Sequence, residues 1–346
     1  MSHPTIAVSG INAVDNPGPG TGIARSLRED EALDMQIVGL AYDAMEPGLY
    51  MDWLFDRRYI MPYPSSEPEV LIERLERIKE RMGLDCVIPN FDVELPLYIH
   101  CATELESRGI HTYLPTKAQF ALRNKARLAE TAASFGMQTP RTATVTSVVE
   151  LQTAIAELGL PLMVKGTYCK AYHVWTQAEA IQRFHQLAAE WGYPVILQQV
   201  VKGAELNLVG VGDGTGGDLG LVAIKKMTVT ELGKIWSGVT IHHEGLFQAA
   251  KAFLEHTHWR GAFELECIAT TDGTIYLIEI NPRFPAWTYF ATAVGINLPS
   301  RMVRAALGLP MPPLQPYKAG KLLVRYTYEM VTDAAPFQTL VTSGER

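Results

Sequence analysis

The chain has 346 residues, of which 47% are hydrophobic, and a formal charge of −7 with a sequence pI near 5.8. That is enough apolar material for two or three packed units, while the acidic balance and the lack of a Lys/Arg run exclude a binder that works by neutralising nucleic-acid phosphates. The N-terminal stretch has no leader pattern and no run of about 18 apolar residues occurs, so no membrane span is expected and the cytoplasm is the expected location.

In the first third, short β-rich runs alternate with helical ones: TIAVSG, a helix near 21–31, MQIVGLAY, a helix at 68–82, LDCVIPNF, a helix at 94–108 and IHTYLP. This alternation predicts a parallel sheet wrapped by helices. The helix at 68–82 is the clearest, with Val70, Leu71, Leu75 and Ile78 on one stripe, a Pro at its start and a Gly at its end. The loop after the first strand carries Gly18, Gly20 and Gly22, and Asp43 follows the second strand, much as in a dinucleotide-binding unit. Pro17 and Pro19 remove two amide donors, however, and the glycine spacing is GxGxG, which is not the fingerprint.

A helix is expected over 117–135, broken by Gly136 and Pro140, with a domain boundary near 115. Beyond it come runs of strands (PLMVKG, PVILQQVV, AELNLVGVG, LGLVAIKKM, GAFELECIA, TIYLIEI) separated by single helices. The fold class is therefore α/β followed by α+β. The Gly-rich stretch 210–220 reads as a hairpin turn, and the tail after Pro310 offers one more strand, LLVRYTYEM, with a loose last dozen residues. Cys86, Cys101, Cys169 and Cys267 lack CxxC spacing and read as reduced thiols, and the pairs His242-His243 and His256-x-His258 read as ordinary surface or core residues.

The chemistry concentrates in LIEINPRFPAW, residues 277–287, where Glu279, Asn281 and Arg283 alternate and so share a face. Carboxylate and amide oxygens suit Mg²⁺, which leaves its remaining positions to water and phosphate. Upstream, Glu264 and Glu266 alternate with apolar residues on a strand that returns through a Thr-Asp-Gly turn. Either of them can lie beside Glu279, and Glu266 is nearer the turn. Three carboxylates on one face with too few cations repel one another, and a divalent ion would relieve that. Lys165 closes an apolar strand and needs an anionic partner. Lys125 sits among basic residues, and of Lys225 and Lys226 only one can point into a cleft. In VILQQVVKGAELNLVGV, an exposed strand end can read an adenine edge and Glu205 can accept two ribose hydroxyls.

The order of Lys125, Lys165, Gln198-Gln199-Val200-Val201, KGAE with Glu205, then Glu266 and EINPR resembles the ATP-grasp superfamily, nearest the carbamoyl-phosphate-synthetase and biotin-carboxylase branch, over about residues 1–310. The resemblance implies an ATP-grasp fold with a Rossmann-like N-terminal domain at 1–115 and two α+β subdomains, 116–200 and 201–310, enclosing the nucleotide, followed by a tail at 311–346. It implies that Lys125 and Lys165 hold the α- and β-phosphates of ATP, that Gln198, Gln199, Val200 and Val201 line the adenine pocket, and that Glu205 takes the ribose. Glu266, Glu279 and Asn281 would hold one or two Mg²⁺ ions, with Mn²⁺ as a substitute, while Arg283 would face the γ-phosphate with Lys226 (or Lys225) beside it. The activity implied is ligation of a small-molecule or peptide carboxylate to an amine through an acylphosphate, in a homodimer. Where many members carry a Gly-rich flap, this chain has KGTYCKAYHVW, so Lys170 or a Tyr hydroxyl would have to cradle the phosphates.

On the same view the 16–22 loop and Asn90, Asp92 and Glu94 face the acceptor cleft, although Asp92 reads equally well as a helix cap. Phe290 is expected in the core and Trp287 on the cleft wall. The rival reading is a nucleotide-binding sensor, or a dehydrogenase-like protein without ligase activity.

Overall fold

The computed structural model describes residues 3–167 and 170–346. The first sheet is parallel throughout, with strands β1 (Thr5–Val8), β2 (Gln36–Ala41), β3 (Arg57–Ile60) and β4 (Leu84–Ile88) in the order β3-β2-β1-β4. Helices α1 (Pro19–Arg28) and α2 (Pro68–Met82) make its β1–β2 and β3–β4 crossovers, and α3 (Leu95–Ser107) follows β4. Each has a Pro in its first turn, where the missing N–H costs no hydrogen bond. On α2 the buried stripe is Leu71, Ile72, Leu75 and Ile78, and Val70 points to solvent, one position off the expected face. IHTYLP forms no strand beyond an isolated bridge from His111 to Cys86.

The expected single helix over 117–135 is in three pieces: α4 (Lys117–Ala121), a 3₁₀ turn at Lys125–Arg127, and α5 (Leu128–Ser134). Asn124 breaks it by accepting the Ala126 N–H at 2.9 Å, which starts a new turn instead of continuing the old one. The second sheet is antiparallel, with β5 (Thr142–Val145), β6 (Leu162–Lys165), β7 (Ala171–Val174) and β8 (Val195–Gln199) in the order β5-β8-β6-β7. Helices α6 (Val148–Leu158) and α7 (Gln177–Trp191) cover one face through Leu151, Ile155, Phe184 and Leu187. The other face carries Lys165 and Gln198.

The third sheet has β9 (Ala204–Asp213), β10 (Asp218–Val229), β11 (Ile235–Ile241), β12 (Arg260–Ala269), β13 (Ile275–Asn281) and β14 (Leu322–Val324), in the order β13-β12-β9-β10-β11-β14. Helix α8 (Glu244–Thr257) buries Leu246, Ala250, Phe253 and Leu254 against Leu208, Phe263 and Leu265 on one face. On the other face Val209, Val211, Val222 and Ile224 join the core of the first sheet, together with α9 (Tyr289–Ala293) and α10 (Leu298–Ala306). Strands β8 and β9 belong to different sheets, so residues 200–203 form a crossing between sheets and not a hairpin tip. The turn at 214–217 does close a hairpin.

The tail departs from expectation. Only three residues of LLVRYTYEM form a strand, and the last residues are an ordered helix, α11 (Ala334–Ser343), with Leu340 buried. The reason is backbone pairing along the edge of β3. The Arg58 N–H donates to the Arg346 carbonyl at 2.7 Å, Arg346 returns a bond at 2.9 Å, and the Ile60 N–H reaches Gly344 at 2.8 Å. Among the described residues no helix is long and apolar enough to cross a membrane.

Candidate active site

The β12–β13 hairpin sets the geometry. Its register places Glu266 opposite Glu279 and Glu264 opposite Asn281, and β9 adds Asn207 beside Glu266. Residues paired across antiparallel strands share a face, so these side chains converge, and of the two upstream acids Glu266 is the one that meets Glu279. Lys226 likewise separates from Lys225. The Lys226 side chain is 9% exposed and donates to Glu266 at 2.7 Å with Glu205 at 3.6 Å, whereas Lys225 points to solvent from mid-strand.

The expectation of too few cations is corrected here. Lys226 stands on Glu266, and Lys125, brought round by the 3₁₀ turn, is 3.0 Å from Glu279. Burial works against both charges of the Lys226–Glu266 pair, yet Glu266 raises the lysine and Lys226 holds the glutamate below the usual carboxylate range. Among the described residues no cation pairs with Glu264. Burial and then the Glu266 charge push its carboxyl up, against donors from Asn207, Trp287 and Asn281.

Lys165 faces this cluster from the second sheet. Its ammonium donates to Gln198 Oε1 at 2.6 Å, and Gln198 in turn donates to Thr142 at 3.1 Å. Burial first, then Lys125, lower its pKa to about 8, while Glu279 and Glu266 act in the opposite sense. The Gln198 amide is thus committed to Lys165, which leaves the chain at Gln199, Val200 and Val201 for any base-edge contact. Val200 and Val201 are half-buried and Glu205 is exposed.

Arg283 lies just past the end of β13. Its Nε donates to Asp92 at 2.7 Å, and Arg123 reaches the other Asp92 oxygen at 2.7 Å. Asp92 is therefore an arginine clamp and not a helix cap, and despite burial the two guanidiniums hold its carboxyl below the usual range. Asp92 thereby joins the first sheet to the site, and Arg123 is a participant the motif order did not flag. Glu94 does not face the cleft: it is fully buried, accepting from Ser9, Tyr42, and the Asn90 and Phe91 amides. Asn90 is 2% exposed, and neither amide atom has a hydrogen-bond partner among the described residues.

Two further expectations are corrected. Trp287 is buried with its indole N–H on Glu264 at 2.7 Å, so it braces the site from behind and does not wall the cleft. The glycines of the 16–22 loop serve the loop itself. Gly18 N–H donates to Asn12 at 2.7 Å and Gly20 N–H to Gly10 at 2.8 Å, and a Cβ at Gly20 would lie 2.2 Å from the Ser9 oxygen. Asp43 caps its own turn at Met45. The residues that suggested a dinucleotide unit are thus occupied by local structure.

In the flap stretch Lys170 pairs with Glu190, and the Tyr172 hydroxyl bonds Gln186. Tyr168 and Cys169 lie outside the described residues. His243 caps α8, and Cys86, Cys101 and Cys267 are buried free thiols.

Residues 195–329 match a family described as ATP-grasp in the biosynthetic pathway with Ter operon. The chain has the ATP-grasp fold. This ATP-grasp chain is 28% identical over 262 residues to a formate-dependent phosphoribosylglycinamide formyltransferase of Synechococcus elongatus, covering 70% of the chain and 65% of that relative's length. It therefore spans somewhat less than two thirds of that relative.

Two solved structures share the fold. The biotin carboxylase of Campylobacter jejuni, solved as a β-γ-ATP complex, superposes with a TM-score of 0.70 at 15% identity, covering 92% of this chain and 74% of that one. The biotin carboxylase domain dimer of the Hydrogenobacter thermophilus 2-oxoglutarate carboxylase, solved with MgADP, ADP and bicarbonate, gives 0.66 at 17% identity, covering 88% of this chain and 69% of that one.

The donor set can be tested against a metal. Among the described residues no group of three or more His, Cys, Asp and Glu side chains is arranged for an ion. What the hairpin offers is two carboxylates and an amide. The Asn281 Nδ2 is taken up by Glu264 and Glu266, each at 3.0 Å, which leaves its oxygen to ligate. Few protein oxygens, with the other positions left to phosphate and water, fit Mg²⁺.

Proposed function

We propose that this ATP-grasp chain is an ATP- and Mg²⁺-dependent ligase that joins a carboxylate to an amine through an acylphosphate, releasing ADP and phosphate. The observation that supports it most is the register of Glu266 opposite Glu279, with Asn281 on the same face and Lys125, Lys165 and Lys226 around them. A protein that only bound nucleotide would have no use for that acidic pair amid three lysines.

A carboxylate is a poor acyl donor because oxide is a poor leaving group. In the proposed reaction a carboxylate oxygen attacks the γ-phosphorus and ADP departs. The amine then attacks the acyl carbon, phosphate leaves, and the nitrogen loses a proton. Such transfer needs positioning and charge neutralisation more than covalent help. Lys125 and Lys165 would exchange Glu279 and Gln198 for phosphate oxygens. Arg283, fixed by Asp92, and Lys226, fixed by Glu266, would face the transferred group. Gln199 to Val201 would line the base, and Glu205 would accept from the ribose. Glu266, Glu279 and Asn281 would hold Mg²⁺, or Mn²⁺ in its place, which when bound supplies Lewis-acid neutralisation of phosphate charge. Cys86 and Cys267 serve as no nucleophile in this scheme: burial pushes the Cys86 thiol up to about 12 and raises Cys267 too.

The substrates on this reading are a small-molecule or peptide carboxylate and an amine, in the cytoplasm, without nucleic acid or membrane and with the chain as a homodimer. The test is product analysis: ATP, Mg²⁺ and pools of amino acids, carboxylic acids and amines, followed by chromatography. ADP and phosphate should appear with one pool and fall about a hundredfold or more in a folded Glu279→Gln variant. AMP with pyrophosphate would overturn the acylphosphate route, and ATP binding without turnover in every pool would favour the sensor.

A further inference from the structure

We infer that Glu264 is a positioning residue: it sets which end of the Asn281 amide faces the metal and ties the Arg283 loop to the same hairpin. The inference rests on the metal reading above and adds a residue to it. Glu264 is 4% exposed, and both its oxygens are used. Oε1 accepts Asn207 Nδ2 and Trp287 Nε1, each at 2.7 Å, and Oε2 accepts Asn281 Nδ2 at 3.0 Å.

An amide has a donor end and an acceptor end, so an acceptor-only partner dictates its orientation. With carboxylates of Glu264 and Glu266 both facing the Asn281 NH₂ group, the Oδ1 atom is left as the ligand end. The Trp287 bond acts on a second element. Trp287 closes the segment Pro282–Trp287 that carries Arg283, so one carboxylate holds the ligand of β13 and the far end of the arginine loop. Asn207 fixes the carboxylate in turn from β9.

Glu264→Gln gives a sharp test because the two oxygens have separate tasks. The introduced amide can keep its oxygen on Asn207 and Trp287, but its NH₂ group then faces the Asn281 NH₂ group. Asn281 must turn over and present hydrogens to the ion, or lose the contact. The reciprocal pair Glu264→Gln with Asn281→Asp restores one donor facing one acceptor between positions 264 and 281 with the polarity reversed, gives up the bond from position 281 to Glu266, and leaves an oxygen for the ion.

The measurement is Mn²⁺ binding to the protein–ADP complex, followed by electron paramagnetic resonance, with metal-free ADP affinity by calorimetry and circular dichroism for folding. Glu264→Gln should weaken Mn²⁺ about tenfold or more and leave metal-free ADP affinity unchanged, and the double variant should recover most of the loss. Mn²⁺ affinity within about twofold of wild type in folded Glu264→Gln overturns the positioning role while the metal reading stands. No Mn²⁺ binding in the wild-type ADP complex overturns both. If Glu264→Gln does not fold, the double variant decides: retained Mn²⁺ binding supports the role, and a folded double variant without it refutes the role.

Discussion

Lys165 carries the least secure charge in the site. Burial and the nearby Lys125 outweigh the two glutamates and bring its pKa to about 8, so in the nucleotide-free protein the ammonium is present below that pH and lost above it. Phosphate binding favours the charged form, so above pH 8 binding must take up a proton. ATP affinity should therefore fall as pH rises from 7 to 9, and calorimetry in buffers of different ionisation enthalpy should detect proton uptake at pH 9. Lys165→Arg, which stays protonated across that range, should flatten the profile. An unchanged slope would remove Lys165 from the phosphates. The sequence marked this lysine because an ammonium at the end of an apolar strand needs a partner. It could not mark Arg123, whose significance lies in sharing Asp92 with Arg283 from 160 positions away in sequence.

Among the elements, the crossing at 200–203 does most to define the cleft, because it carries the chain from β8 of the second sheet onto β9 of the third. Gly203 lets it lie flat on β12: a Cβ there would come within 2.4 Å of the Ala269 oxygen and 2.7 Å of the Ile268 side chain. Gly203→Ala should push the crossing off the sheet and destabilise the protein by about 1–3 kcal/mol in urea unfolding. ATP affinity should weaken with it, since Gln199 to Val201 move as one segment. The split of the expected 117–135 helix is an element-scale difference with a local cause. Asn124 is visible as a cap residue type, but the helix formers on either side of it favour a single helix by propensity, and the break brings Lys125 to Glu279.

At the scale of the whole molecule, the tail closes an edge. Residues 344–346 pair with β3, which otherwise ends the first sheet as an open edge, and α11 seats Leu340 in the core. Removing residues 334–346 should cost about 2–4 kcal/mol from lost backbone bonds at about 1 kcal/mol each, and increase aggregation. ATP binding, read by calorimetry on the soluble fraction, should survive because no residue assigned to nucleotide lies in the tail. Loss of nucleotide binding in a folded truncated chain would mean that the first sheet and the site are more tightly coupled than the Asp92–Arg283 link implies.

By itself the sequence determined the two fold classes, the helix at 68–82, the hairpin turn near 214 and the set of acids, amide and lysines around EINPR, because period, turn residues and motif order are local properties. It left Glu264 against Glu266, and Lys225 against Lys226, undecided. Strand register decided both, since sliding a strand by one residue exchanges its faces. It misplaced Trp287 and Glu94 because an apolar or acidic residue near a motif does not declare which side of the packed sheet it occupies. Only the tertiary structure gave Trp287 a buried acid to bind and placed an arginine pair on Asp92, since those partners lie on loops and strands far apart in the chain and meet only when these pack together.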